Sequence, residues 1–375
     1  MKEALVNEAL VREAQADVGG PAQPLLEVNR LVKHFPLKKD AFGRGGGVVR
    51  AVDGIDFKIR KFETLGVVGE SGCGKSTTAR LLMHLIAPDS GEMIFDGATI
   101  GGRAMQLKTF RRQAQMVFQD SYASLNPRLT IEESIAFAPR VHGVSKAEAI
   151  ARARDLLDRV SLEPRRFAAR YTHELSGGQR QRVNIARALA LHPRLILLDE
   201  AVSALDKSVE AQVLNLLLDL KDEFRLTYMF ISHDLHVVRY ISDRVMVMYL
   251  GQIVELAAAE SLFKAPLHPY TAALLESMPS IDPDNRTHEV PLTGEPPNPI
   301  NPPSGCRFHP RCPHAEAVCS STVPTLGDAA SPGHLVSCLM FQPGSGHSAA
   351  AGLASQALPW PTPAVAVPKL AGSLS

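Results

Sequence analysis

The sequence has almost no net charge, no long apolar run and few cysteines, and its first residues do not have the pattern of a secretory signal. Its 375 residues include 40 lysine and arginine residues against 39 aspartate and glutamate residues, so the formal net charge is +1. A chain this close to neutral carries no field that would hold a polyanion, which argues against nucleic acid as a partner.

The apolar segments are too short to cross a membrane. The longest candidate, 245–254, falls well below the roughly 18 apolar residues that span a bilayer, so we expect the chain itself to be soluble. The first residues include Glu3, Glu8 and Glu13 and no apolar core segment, unlike a secretory signal. Five cysteines in 375 residues are too few for a disulfide scaffold. These absences predict a cytosolic location.

Length and composition divide the chain into four parts. We predict an N-terminal helical arm over 1–25, an α/β domain over 26–258, an extension over 259–342 and a disordered tail over 343–375. Proline occupies 8 of the 25 positions in 279–303, which predicts irregular chain there. In the tail, 22 of 33 residues are Ala, Pro, Gly or Ser, too little bulk to offset the entropy of ordering.

Strand-like and helix-like segments alternate through 25–256, as in a parallel sheet with helices on both faces. Helices are predicted at 75–86 and, from an apolar stripe at helical spacing, at 208–224. Ser145 and Glu148 predict a capping box at the start of another helix. The predicted strands are 64–68, 115–118, 195–198, 228–231 and 245–249.

A glycine-rich loop lies between the strand 64–68 and the helix that follows it. Glycines let backbone N–H groups surround a phosphate, and the helix N-terminus favours negative charge. Lys75 is predicted to reach the β and γ phosphates, and Ser76 to ligate Mg²⁺. An ordinary glycine turn is the alternative, which the flanking strand and helix disfavour. The segment matches G-x-x-x-x-G-K-[ST] and comprises Gly69, Glu70, Ser71, Gly72, Cys73, Gly74, Lys75, Ser76 and Thr77.

Two carboxylates, Asp199 and Glu200, follow the apolar strand 195–198. They emerge at its carboxyl end, where α/β sheets place ligands. Asp199 is predicted to be a Mg²⁺ partner, directly or through water, and Glu200 a general base for a water that attacks the γ phosphate. An acidic pair after a strand is by itself more often a helix cap or a surface turn. Beside a phosphate loop, it predicts nucleotide hydrolysis.

The segment 175–179, Leu-Ser-Gly-Gly-Gln, resembles the signature of ATP-binding cassette (ABC) ATPases, and the resemblance extends over about 26–342. It implies an α/β P-loop NTPase with a RecA-like core, a helical subdomain at about 120–192 and an irregular C-terminal extension. In that family the signature residues face the ATP held by a second, homologous ATPase in a head-to-tail dimer. Alone, Ser-Gly-Gly is equally an ordinary helix N-cap. The signature residues assigned to ATP are Ser176, Gly177, Gly178 and Gln179.

The resemblance implies roles for further single residues. Gln119 matches the glutamine that contacts Mg²⁺ and the attacking water, and Asp206 matches an aspartate that crosses the dimer interface. His233 matches a histidine that touches the γ phosphate, although a lone His before Asp234 is otherwise typical of a cap. Phe35 matches the aromatic that stacks on adenine, where tyrosine is more usual; simple packing is its alternative. The implied catalytic set is therefore Glu200, His233, Gln119 and Lys75.

Segments outside the shared motifs resemble the ATPases of oligopeptide, dipeptide and nickel importers. They are 120–128, 268–271, 301–306 and the insert 38–47. This branch implies two membrane-spanning permeases, a second ATPase, an extracytoplasmic peptide-binding protein and a peripheral position on the cytoplasmic face of the cell (inner) membrane. The implied cofactors are ATP and Mg²⁺, and the implied cargo is di- or oligopeptides.

Alternative cargoes and alternative functions are also compatible with parts of the sequence. Nickel chelates and glutathione are alternative cargoes. A soluble cassette ATPase acting on DNA ends would need long heptad arms, and none lies between Lys75 and Leu175. A ribosomal type carries two cassettes in one chain, whereas this chain carries one. A non-hydrolysing regulatory module is opposed by Glu200.

Four cysteines lie close together near the C-terminus. Four thiolates suit a tetrahedral zinc or a [4Fe-4S] cluster, but their spacing matches neither zinc ribbons nor ferredoxins. Reduced structural thiols are the alternative in the cytosol. The segment resembles the C-terminal extension of these importer ATPases, which holds an iron-sulfur cluster in some members of the branch. The resemblance therefore implies a structural [4Fe-4S] site, with zinc as the second choice. His309 and His314 are spare ligands nearby. The cysteines are Cys306, Cys312, Cys319 and Cys338.

Overall fold

The computed structural model describes residues 19–20, 22–37, 46–278, 297–329 and 332–351. Several sequence predictions lie wholly or largely outside the described residues. These are the N-terminal arm, the insert, most of the proline-rich segment and the tail beyond residue 351.

Strands and helices are interspersed along the described chain. The strands are β1 (Leu26–Pro36), β2 (Val48–Ile59), β3 (Thr64–Val68), β4 (Ser90–Phe95), β5 (Ala98–Thr99), β6 (Ala114–Val117), β7 (Leu195–Asp199), β8 (Thr227–Ile231), β9 (Arg244–Tyr249), β10 (Gln252–Ala258), β11 (Gly327–Asp328) and β12 (Leu335–Val336). The helices are α1 (Lys75–Leu82), α2 (Leu107–Gln113), α3 (Ile131–Val141), α4 (Lys146–Arg159), α5 (Pro164–Phe167), α6 (Gly177–Leu189), α7 (Lys207–Phe224), α8 (Leu235–Ile241), α9 (Ala259–Lys264), α10 (Pro269–Glu276) and α11 (Ala317–Ser321).

The larger sheet has the order β11-β12-β10-β9-β3-β8-β7-β6, and its strands from β9 to β6 run parallel. These five strands are the predicted ones, and they confirm the α/β fold class. The carboxyl ends of these strands are aligned, since Val67 pairs with Ile231 and Val117 pairs with Leu198. The segments that follow the strands therefore meet at one edge of the sheet.

A second sheet, of order β2-β1-β4-β5, is antiparallel, so the expectation of a single parallel sheet was incomplete. Along β2 the residues from Ile55 to Ile59 alternate between buried and exposed. Such strands have no continuous apolar run, because polar residues face solvent on every second position. In β1 the pairing register with β2 shifts, which interrupts the alternation of buried and exposed residues. The strand is therefore harder to recognise from the sequence.

The helices follow the predictions with two differences. Helix α1 ends at Leu82, four residues before the predicted end, and His84 has a left-handed φ of 50°. Ser145 Oγ accepts the Glu148 N–H at 3.2 Å, but the Glu148 carboxylate pairs with Arg152, so this is only half of a capping box. Within the described ranges, no helix combines the length and apolar character needed to cross a bilayer.

Candidate nucleotide site

The glycine loop between β3 and α1 has a backbone that only glycine accommodates easily. The φ angles of Gly69, Gly72 and Gly74 are 147°, 78° and 109°. A Cβ on Gly69 would lie 2.2 Å from the Met248 carbonyl oxygen, and one on Gly74 would lie 2.2 Å from the Ala51 carbonyl oxygen. The loop is therefore packed tightly between β9 and β2, with no room for a side chain at Gly69 or Gly74.

Lys75, the first residue of α1, is buried beneath this loop. Its Nζ donates to the carbonyl oxygens of Gly69 at 2.7 Å and Glu70 at 3.0 Å. The Cys73 thiol is also buried, 3.8 Å from Nζ, and fills space as a small side chain. The ammonium group of Lys75 is thus held inside the loop, while Ser71 is exposed and Thr77 is partly buried.

Ser76 and Asp199 meet although they are 123 residues apart. Ser76 Oγ donates to Asp199 Oδ1 at 2.9 Å. Asp199 is the last residue of β7 and is buried; burial, with the Glu200 charge in addition, raises the pKa of its carboxyl against the opposing hydrogen bond from Ser76. A hydroxyl and a carboxylate oxygen are ligands that Mg²⁺ prefers, so this pair fits that ion.

The Glu200 carboxylate follows β7 and lies close to side chains that follow the neighbouring strands β6 and β8. Glu200 has a left-handed φ of 49°, and its N–H donates to the Ile231 carbonyl at 3.0 Å. Its Oε2 accepts a hydrogen bond from Gln119 Nε2 at 2.8 Å and lies 3.6 Å from His233 Nδ1. Non-glycine residues held in this conformation are concentrated at functional sites. The structure therefore brings together three of the predicted catalytic residues, from the ends of β6, β7 and β8.

The signature residues form a helix cap at the start of α6. Ser176 Oγ accepts the Gln179 N–H at 3.3 Å, and Gln179 Oε1 accepts the Ser176 N–H at 3.0 Å. Gly178 packs against α7, where a Cβ would lie 2.4 Å from Val209 Cγ1. Asp206 is exposed at the start of α7. No hydrogen bond or ion pair in the described part of the chain joins these residues to the phosphate loop.

Phe35 lies near the end of β1 and is partly exposed. It pairs with Val49 of β2, and Lys33 Nζ lies 5.5 Å from the centre of its ring. The Lys33 ammonium therefore covers one face of the ring, and the residue as a whole remains partly exposed.

Two residues of the extension contact the phosphate loop, and no sequence motif assigns either of them to the site. Tyr270 OH accepts the Glu70 N–H at 2.8 Å. Arg311 donates to both carboxylate oxygens of Glu70, at 2.9 and 3.1 Å. Tyr270 belongs to a segment singled out for its resemblance alone, and Arg311 stands 241 residues from Glu70 with no local motif. Only the folded chain reveals this contact.

All four clustered cysteines line one small pocket under Phe308 and Met340. Burial raises the pKa of the Cys312 thiol to about 11 and that of the Cys338 thiol to about 12. In the described residues, no group of three or more His, Cys, Asp or Glu side chains is arranged to hold a metal ion. His347 also lines the pocket and is 6% exposed, so ordered chain continues past the predicted start of the tail to residue 351.

Comparison with known proteins agrees with this geometry. Residues 52–203 match the ABC transporter family model, and residues 254–319 match the model for the oligopeptide/dipeptide transporter C-terminal region. The chain is 52% identical to the probable peptide ABC transporter ATP-binding protein y4tS of Sinorhizobium fredii over 338 residues, which span 89% of this chain and 95% of that protein. It is 49% identical to the oligopeptide transport ATP-binding protein AppF of Bacillus subtilis over 85% of this chain and 98% of that protein.

Solved structures share the fold. CbiO1 from Clostridium perfringens, part of the ABC transporter complex cbiONQ, is 27% identical with a TM-score of 0.55, covering 64% of this chain and 90% of its own. The ATP-binding cassette MJ0796, a dimer in a post-hydrolysis state bound to ADP and Pi, is 28% identical with a TM-score of 0.53, covering 62% of this chain and 98% of its own. Fold and site together define a P-loop ATPase of the ABC type. The chain belongs to the family of ATP-binding proteins of peptide ABC transporters.

Proposed function

We propose that the chain binds and hydrolyses ATP to drive the import of di- or oligopeptides through a membrane transporter. The observation that carries hydrolysis is the Glu200 carboxylate, held by Gln119 and close to His233. It lies at the same sheet edge as the Ser76 and Asp199 pair. The peptide cargo is supported by the C-terminal family model and by the names of the two relatives.

ATP binds with its phosphates in the glycine loop. The backbone N–H groups of the loop and the N-terminus of α1 attract the triphosphate. Lys75 Nζ exchanges the Gly69 and Glu70 carbonyls for β and γ phosphate oxygens, because a charge-assisted bond to phosphate is stronger. The exposed face of Phe35 stacks on the adenine.

Glu200 accepts a proton from the attacking water. The water oxygen bonds to the γ phosphorus, the bond from that phosphorus to the β–γ bridging oxygen breaks, and ADP leaves with the electron pair. Gln119 orients Glu200 and the water, and His233 donates to the γ phosphate. Ser76, Asp199 and Gln119 would hold Mg²⁺, which when bound neutralises charge on the phosphates.

A complete site needs a second ATPase. Residues 176–179 and Asp206 contact the nucleotide of the partner in a head-to-tail dimer. The dimeric state of the MJ0796 cassette supports this. The assembly further contains two permeases on the cytoplasmic face of the cell (inner) membrane, which receive peptides from an extracytoplasmic binding protein.

The proposed domains of the chain have separate roles in this transporter. Residues 26–258 form the nucleotide-binding domain, in which about 120–192 form the helical subdomain that contacts the permeases. Residues 259–342 form the extension. Packing of α3 and α4 against α6 supports a helical subdomain in this part of the chain.

Peptide uptake tests the cargo. In cells that lack this chain, uptake of a labelled tripeptide is expected to fall to background. The wild-type chain restores it, and E200Q does not, because closure without hydrolysis cannot complete the cycle. Nickel and glutathione uptake serve as matched controls in the same cells. Normal peptide uptake with loss of either control would contradict the peptide cargo.

The four cysteines would hold a structural [4Fe-4S] cluster, with zinc as the alternative. Their convergence on one pocket supports this, although the described residues are not arranged around a metal ion. We expect anaerobically purified protein to show iron, labile sulfide and visible absorbance. Cys338→Ser is expected to lose all three, whereas Cys73→Ser, outside the pocket, retains them. A colourless protein with bound zinc would establish the alternative, and a metal-free one would overturn the site.

A further inference from the structure

The C-terminal extension contacts the phosphate loop through Arg311. We infer that Arg311 is a positioning residue for ATP binding, which acts by pairing with Glu70 inside the loop. This inference rests on the proposed function, since it assumes that the triphosphate occupies that loop. It adds a residue from outside the nucleotide-binding domain to the ATP site.

The contact is a buried and bidentate ion pair. The guanidinium donates to the two Glu70 oxygens at 2.9 and 3.1 Å, and the Arg311 and Glu70 side chains are 6% and 21% exposed. Arg311 also lies 3.4 Å from Tyr249 OH. An arginine guanidinium is always protonated in a protein, so the contact is an ion pair. Bidentate arginine pairs fix geometry as well as charge.

The main chain of Glu70 is held as well. Its N–H donates to Tyr270 OH, and the ring of Tyr270 packs 4.6 Å from that of Tyr249. The carbonyl of Glu70 accepts from Lys75 at 3.0 Å. Side chain, N–H and carbonyl of this one residue are therefore all fixed, and two of the three contacts come from the extension.

A carboxylate in a phosphate-binding loop opposes the function of the loop. The N–H groups and the helix N-terminus favour anions, whereas the Glu70 charge repels the triphosphate. Arg311 neutralises that charge where solvent screens it weakly. Without Arg311, the unpaired carboxylate would repel ATP or move the loop.

Arg311 is held rigidly in the extension. It ends a 3₁₀ turn, His309–Arg311, whose first N–H donates to the Cys306 carbonyl at 3.0 Å, and it immediately precedes Cys312. A second arginine, Arg307, pairs with Asp53 on β2, which in turn lies 2.7 Å from His34. The extension thus contacts the nucleotide-binding domain both at the phosphate loop and beside Phe35.

Equilibrium binding of a non-hydrolysable ATP analogue tests the inference. Arg311→Gln is expected to weaken binding about tenfold to a hundredfold and to raise KM for ATP, while kcat changes by less than about threefold. The double variant E70Q/R311Q, which removes the unpaired charge, is expected to bind within about threefold of the wild type. A role in folding alone would give no such rescue. Arg154→Gln removes the same charge from an exposed ion pair and is the matched control.

Two results would overturn the inference. One is unchanged analogue binding by R311Q, and the other is a double variant that binds as weakly as R311Q although both remain folded by thermal melting. A wild-type chain that binds no analogue would instead contradict the proposed function itself. Binding by the wild type with no effect of R311Q contradicts only the role of Arg311.

Discussion

Replacing Glu200 with glutamine is expected to reduce ATP turnover by about a thousandfold and to leave nucleotide binding intact. Glutamine keeps the shape and the contact with Gln119 but cannot accept a proton from water. General bases contribute about 10²- to 10⁴-fold. Single-turnover phosphate release measures the loss, and gel filtration with ATP is expected to show a trapped dimer.

The matched control for this variant is Glu260→Gln, an exposed glutamate on α9. It changes the net charge equally and is expected to leave turnover unchanged. Near-normal phosphate release by E200Q would contradict the assignment of Glu200 as the base. Loss of nucleotide binding in E200Q would show that this carboxylate supports the site in another way.

Replacing Lys75 with alanine is expected to weaken ATP binding about ten- to a hundredfold. The buried ammonium group lies inside the loop that is predicted to bind the phosphates, and its charge-assisted bonds are worth about 1.5 to 3 kcal/mol. Equilibrium titration with a non-hydrolysable analogue measures the change. The Lys75→Arg variant keeps the positive charge and so separates the effect of charge from that of shape. The loop is tightly packed at Gly69 and Gly74, which leaves little room for the larger guanidinium group.

Thermal melting separates lost binding from lost structure in these variants. Lys75 also bonds to the Gly69 and Glu70 carbonyls, so K75A removes two contacts within the loop. We expect a folded chain that no longer gains thermal stability from added nucleotide. An affinity equal to that of the wild type would count against the phosphate loop.

The sequence predicted the parallel strands and the residues at their ends because both signals are local. A buried parallel strand such as β7 is a continuous apolar run, and Asp199 and Glu200 follow it directly. Once the strands lie side by side, their ends meet. Gln119, Glu200 and His233 thus converge from three separate segments without any one of them encoding the contact.

Contacts made by the extension could not be predicted in this way. The pairing of Arg311 with Glu70 joins residues that are 241 positions apart, and no spacing rule covers such a distance. The cysteines show the same limit. Their spacing fits no metal motif, yet the hydrogen bond from the Cys306 N–H to the Cys319 carbonyl at 2.8 Å brings separate segments to one pocket.

A structure of the E200Q variant with ATP and Mg²⁺ tests the central claim most directly. The account predicts that the γ phosphate lies within hydrogen-bonding distance of Lys75 Nζ. It also predicts that residue 200 faces a water in line with the bond that breaks. A nucleotide bound elsewhere, or a residue 200 side chain directed away from the γ phosphate, would contradict it.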